Sequence, residues 1–182
     1  MSESLSPSRT GAAIPMAVAA FLFVALVTMS VASYGALPEK IPVHFSLSGV
    51  PDGWSEKVIG AWFLPIVAVV MNLIFWGCAW IVRNKPTWVN VPRRAEFVAL
   101  SPEARAPVTA MLTHFLAWIA ALVEGLFIFI QAGMFAVAMG TWTLLPGWPF
   151  IGFIGVFVVY IVVMYVRIAR AIRRATTVST PS

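Results

Sequence analysis

The chain has 182 residues, of which 60% are hydrophobic and only 10% charged, against roughly 25% charged in soluble domains. Its apolar residues gather in four long runs, a distribution that excludes a single water-soluble core and points to a lipid-embedded bundle. The formal net charge of +5 does not call for nucleic acid, because the basic residues flank the apolar runs, where Lys and Arg mark cytoplasmic ends and attract anionic headgroups.

A helix needs about 20 apolar residues to cross the hydrocarbon layer and satisfies its own backbone while doing so. Four windows qualify, over residues 12–36, 58–82, 108–138 and 148–166. They predict an all-α, integral membrane bundle of four transmembrane helices within a membrane domain 12–166. An N-terminal tail 1–11, an outer loop 37–57, an inner loop 83–107 and a basic tail 167–182 complete the chain. Arg9, the first run and the small residues Val31-Ala32-Ser33 also fit a secretory signal. The run is longer than the about 7–15 residues of a typical signal core, so it is read as a retained span.

The outer loop, LPEKIPVHFSLSGVPDGWSEK, reads as an ordered segment. Ile41, Val43, Phe45 and Leu47 alternate with Pro42, His44, Ser46 and Ser48, the period of a short extended piece with one apolar face. Ser48-Gly49 and Pro51-Asp52-Gly53 supply turn chemistry. His44 and Asp52, with Trp54 and Glu39 beside them and Glu56 near, are the candidate ligand-binding residues. One histidine with carboxylates can hold a divalent ion. The loop, however, has no second histidine or cysteine and its spacing matches no established ligand signature, so no metal is assigned. Recognition of a peptide or toxin, and hydrogen bonds that only stabilise the loop, are the other readings of these residues.

Leu37-Pro38, Ile41-Pro42, His44-Phe45, Gly49 and Pro51-Asp52-Gly53-Trp54 leading to Lys57 together resemble the domain of unknown function 1648 family of bacterial membrane proteins. That family is found also as the N-terminal part of Sdp-type immunity proteins. The resemblance covers the first span, the outer loop and the second span. Asn90-Val91-Pro92 and Phe97-Val98-Ala99-Leu100-Ser101 are similar to relatives that continue for two further spans. What it implies is a bacterial inner-membrane protein without an assigned enzymatic activity. Sdp-type immunity proteins protect the producing cell from its own toxin and sequester a repressor at the membrane, and they carry more C-terminal spans than the four read here.

The second span holds Asn72 and the single cysteine, Cys78, which reads as a small packing residue. The inner loop carries Arg83, Lys85, Arg93, Arg94 and Arg105 against Glu96 and Glu103. The outer loop has Lys40 and Lys57 against Glu39, Asp52 and Glu56. This asymmetry places the inner loop, and with it both termini, in the cytoplasm. Ser101-Pro102-Glu103 suits a helix start, with Ser101 as N-cap and Pro102 at the first helical position. The third helix thus begins before the membrane and runs about 55 Å.

Near the centre of that span lies Glu124, where insertion scales put an acidic residue at about 2.5–3.5 kcal/mol, so it is expected to face the bundle interior. Ala117, Ala121 and Gly125 form a small-residue stripe, and Ala117, Glu124 and Gln131 share a face. Counting inward along the antiparallel second and third spans sets Asn72 within about a turn of Glu124 in depth. Thr28, Ser30 and Tyr160 reach similar depths, which predicts a polar cluster. Glu124, Asn72 and Gln131 are therefore candidates either for interhelical hydrogen bonding or for a ligand, proton or ion path. His114 lies about 80° around the helix from Glu124 and reads as interfacial. Trp54, Trp62, Trp80, Trp88, Trp142 and Trp148 fall near span ends as anchors. Arg167, Arg170, Arg173 and Arg174 in the tail suit anionic lipid headgroups.

No glycine-rich phosphate loop, zinc-protease motif or serine-nucleophile motif is present, so no catalytic residue, cofactor or nucleic-acid partner is expected. The sequence points to a non-enzymatic, multi-pass binding or signalling protein of the bacterial cytoplasmic membrane, related to toxin-immunity proteins and using the outer loop for recognition. The alternative is a small proton-coupled transporter or channel component built on Glu124, Asn72 and Gln131, with a homo-oligomer completing the path.

Overall fold

The computed structural model describes residues 12–179; the N-terminal tail 1–11 read from the sequence lies outside them. Four long helices dominate: α1 (Ala13–Ser33), α2 (Lys57–Asn84), α4 (Pro102–Ala138) and α5 (Trp148–Ser179), with a short α3 (Arg94–Ala99) between α2 and α4. All four long helices have the length and apolar composition to cross a membrane. A purely α-helical reading needs one correction. The segment between α1 and α2 is a two-stranded antiparallel hairpin, β1 (Lys40–Phe45) and β2 (Pro51–Glu56).

Proline and glycine set the boundaries. A 3-10 turn over Tyr34–Ala36 closes α1, and Leu37 is extended ahead of Pro38, as steric conflict with the proline ring requires. Helix α2 stops at Asn84, one residue before Lys85-Pro86. Helix α4 starts as its sequence predicts, with the Ser101 hydroxyl accepting from the Ala104 amide at 3.3 Å and Pro102 at the first position. Hydrogen bonds from the Glu103 amide and from Ser101 hold the exposed Glu103 carboxyl below the usual carboxylate range.

Helix α4 is the centre of the bundle, packing on α1, α2, α5 and β1, while α1 and α2 touch each other more lightly. At the hairpin end, Leu37, Ile41, Ala61, Leu64, Met134 and Phe135 form one apolar cluster. At mid-height Ala19 of α1 meets Ala120 and Ala121 of α4, small side chains that let two helices approach closely. Of the predicted small-residue stripe, Ala121 thus serves α1, whereas Gly125 faces Phe153 of α5.

Opposite the hairpin, the helices outrun a hydrocarbon layer of about 30 Å. Helix α5 does not stop at Val166, where the apolar run ends, but continues through the four tail arginines to Ser179. Met164, Ile168 and Ile172, four residues apart on one face, are buried with Val108 and Leu112 of α4 and with Phe97 and Leu100 around α3. The connection 83–107 is therefore an ordered cap. Arg105 holds it: the guanidinium donates to the carbonyls of Phe97 (3.2 Å), Val98 (2.7 Å) and Leu100 (2.6 Å) and lies over the Phe97 ring. Three main-chain acceptors at the end of α3 depend on one planar cation. Arg105→Ala is expected to cost at least about 2 kcal/mol and to open residues 86–100 to protease, with Arg105→Lys recovering part. Limited proteolysis read by mass spectrometry checks both.

Candidate functional site

The hairpin has two unlike sides. Ile41 and Pro42 are buried beneath it, whereas Asp52, Trp54 and Glu56 alternate outward along β2. The alternation expected for β1 fails beyond Pro42. Register shifts on both sides of His44 turn Val43 outward and leave Leu47 fully exposed at the tip, so the apolar face read across Ile41, Val43, Phe45 and Leu47 does not form. A bulge re-aims side chains in this way, and here it aims His44 at Asp52. Their Nδ1 and Oδ1 atoms are 2.5 Å apart, with side chains 73% and 46% exposed.

Glu39 lies at the root of the hairpin, where it, Lys40, Glu56, Lys57 and Tyr34 line a recess. The Lys57 amide donates to the Glu39 carbonyl at 3.0 Å, and the Lys57 ammonium sits 4.8 Å from the centre of the Tyr34 ring. The structure thus brings His44, Asp52 and Trp54 onto one outward surface and sets Glu39 at its base. Among the described residues no three His, Cys, Asp or Glu side chains are grouped so as to hold a metal ion.

The hairpin is also tied down at its tip. The carbonyl oxygen of Gly49, a residue at φ +81°, accepts from the Leu145 amide at 2.8 Å, and a Cβ on Gly49 would collide with the Leu145 oxygen. Leu145 itself is buried. The uncharged chain between α4 and α5 is therefore the second support of the candidate surface.

Inside the bundle, Asn72 of α2 donates to Glu124 Oε1 at 2.5 Å and to the Ala68 carbonyl at 2.9 Å. Glu124 is 1% exposed, and its Oε2 atom has no hydrogen-bond partner. The wider polar cluster does not assemble. Ser30 is buried but bonds the Leu26 carbonyl of its own helix, Thr28 is exposed, and Tyr160 packs on Phe115 with its hydroxyl unpartnered. Tyr160 is level with Phe115, nine residues before Glu124 on α4, and Ser30 lies eleven residues beyond Ala19, which meets Ala120 and Ala121, so the common depth expected for these residues does not hold. His114 accepts from Trp118 Nε1 at 3.0 Å, one turn along its own helix.

Gln131, on the same face as Glu124, bonds to main chain rather than to a side chain. Its Nε2 donates at 3.2 Å to the carbonyl of Ala61, which is four residues before Pro65 inside α2. Proline has no N–H, so the helix itself leaves this carbonyl empty, and a neighbouring helix supplies the missing donor as the apolar medium demands. The sequence signal was Pro65 within a span, at a depth matching Gln131.

The four arginines of the α5 extension, Arg167, Arg170, Arg173 and Arg174, are all exposed, a distribution open to anionic headgroups. Most of the apolar surface of α5 is uncovered as well. No curated protein and no solved structure matches the chain. Residues 20–69, which run from within α1 through the hairpin into α2 and make up 50 of the 182 residues, match the model of the family described as domain of unknown function (DUF1648), the family that the loop motif resembles.

Proposed function

We propose that the chain is a non-enzymatic protein of the bacterial cytoplasmic membrane, both termini inside, that recognises an extracellular peptide through the outward side of its hairpin. The observation that carries this reading is the contrast between the two sides of one small sheet. Ile41 is fully buried on the bundle, while the His44–Asp52 pair and the half-exposed Trp54 project away from it. A supported surface that offers an aromatic ring beside an imidazole and a carboxylate suits recognition, because little ordering entropy remains to be lost on binding. The orientation rests on the clustering of Lys and Arg at the opposite end. The likeness of the loop motif to Sdp-type immunity proteins makes a secreted peptide toxin the ligand class to test first.

Cells expressing the chain are to be challenged with the peptide fraction secreted by the native host. Protection is expected to fall at least tenfold, about 1.4 kcal/mol, in His44→Ala and in Asp52→Ala, and to persist in Glu124→Gln. Full protection in both loop variants, at equal expression, contradicts the proposal.

One observation favours a second reading, proton-coupled transport: the buried, unpartnered Oε2 of Glu124. Against it, the apolar cluster of Leu37, Ile41, Leu64, Met134 and Phe135 closes the bundle between Gln131 and the hairpin. Proton flux in proteoliposomes, lost in Glu124→Gln and retained in the loop variants, would establish transport instead.

A further inference from the structure

Residues of α1 and α2 border a half-open cleft of about 750 Å³ floored by α4. That volume lies in the range of pockets that hold small organic ligands, about 300–1,000 Å³. Ala20 of α1 and Trp76 and Ala79 of α2 form its walls and Ala117 its floor, with Asn72 at the deep end and Arg83 at the rim. Apart from Asn72, Arg83, Asn84 and Thr113, its lining is apolar.

Two features specify the occupant. Along α2 the lining runs from Val69 to Asn84, fifteen residues or about 22 Å at 1.5 Å per residue, which spans half of a hydrocarbon layer about 30 Å thick and the headgroup level beside it. The depth is that of one leaflet. At the rim the Arg83 guanidinium is exposed and has no ion-pair or hydrogen-bond partner among the described residues. A planar guanidinium at headgroup level is suited to bidentate binding of a phosphate.

We infer that this cleft binds one acyl chain of an anionic phospholipid from the leaflet at the basic end, with the headgroup phosphate on Arg83 and the chain ending near Asn72. The inference rests on the membrane reading above. It differs from general attraction of lipid to the tail arginines, because it requires a particular chain in a particular slot. Such a lipid would separate the Asn72–Glu124 pair from the bilayer and complete the packing between α1 and α2.

The test uses the full chain reconstituted in vesicles containing a phosphatidylglycerol with a photoreactive group on its acyl chain, with cross-linked peptides located by mass spectrometry. Labelling of the cleft walls on α1 and α2 is expected to exceed that of the exposed face of α5, which reports ordinary boundary lipid, by at least fivefold. The excess should disappear in Arg83→Gln, return in Arg83→Lys, and disappear in Ala79→Phe, which fills the slot. Equal labelling of cleft and α5, or an excess unchanged in Arg83→Gln and Ala79→Phe, overturns the inference. So does an equal excess with the corresponding phosphatidylcholine, or protein cross-links showing that residues 1–11 or a second copy occupies the cleft. Resistance to alkaline extraction is scored separately. Absence of the excess in the unsubstituted chain, while that chain still resists extraction, refutes the cleft, whereas release of the unsubstituted chain by alkali refutes the membrane reading itself.

Discussion

Gln131→Leu is expected to destabilise the bundle by about 1–2 kcal/mol, and Pro65→Ala to abolish most of that cost. The Ala61 carbonyl accepts from Gln131 Nε2 because Pro65, four residues on, has no amide hydrogen to give it. Removing Gln131 leaves a buried acceptor bare, a loss of roughly 1–3 kcal/mol in proteins generally and at the lower end of that range in membranes, where interhelical bonds measured by double-mutant cycles reach about 1.7 kcal/mol. Alanine at 65 restores the helix's own donor. The two substitutions should therefore be strongly non-additive, with a coupling of at least about 1 kcal/mol in a double-mutant cycle measured by denaturant unfolding in mixed micelles. Additive effects would mean that Gln131 acts elsewhere, and its buried, unpartnered Oε1 atom would become the place to look.

The second large effect concerns the support of the hairpin. Gly49→Val places a β-branched side chain at φ +81° and drives its Cβ into the Leu145 oxygen. The backbone conformation alone costs about 1–2 kcal/mol, and the collision adds to it, so a total near 3 kcal/mol is expected for docking of the tip. That corresponds to about two decades in the opening equilibrium, read directly as faster exchange of the Leu145 amide that bonds the Gly49 carbonyl. Gly140 is the control. It has a similar φ of +73° but open space around it, so Gly140→Asn should change stability by less than about 1 kcal/mol. If both substitutions behave alike, the close contact with Leu145 does not anchor the hairpin.

These two sites show where the sequence was legible and where it was not. The four long helices and the Ser101-Pro102 start follow from composition and capping, which are local properties of the chain. The common depth of Asn72 and Glu124 follows from counting along the two spans, whereas their hydrogen bond also requires both to face the contact between α2 and α4. Tyr160 packs level with Phe115, nine residues from Glu124, and Ser30 bonds within its own helix, because a single sequence carries no measure of how each helix is shifted along its axis or rotated about it. The β1 face was misread because strict alternation assumes a regular ladder, and the register shifts around His44 break it. Helix α5 was cut short because hydropathy ends at Val166, although the spacing of Met164, Ile168 and Ile172 already marked a helix that continues with a buried side.

A division of labour follows from the geometry. Asn72, Glu124 and Gln131 bind helix to helix, and each bond ties α2 to α4. His44, Asp52 and Trp54 hold nothing in the bundle together, since they face away from it. Polar residues spent on packing and polar residues left outward on a fixed frame are distinguished here by their partners and not by their chemistry.

Hydrogen exchange of the vesicle-reconstituted chain, with and without the secreted peptide fraction of the native host, tests the recognition surface most directly. Recognition at the hairpin predicts new protection confined to the hairpin and its root, residues 39–56, with α2 around Asn72 and α4 around Glu124 unchanged. Protection appearing around Asn72 and Glu124 while the hairpin exchanges as before would contradict it.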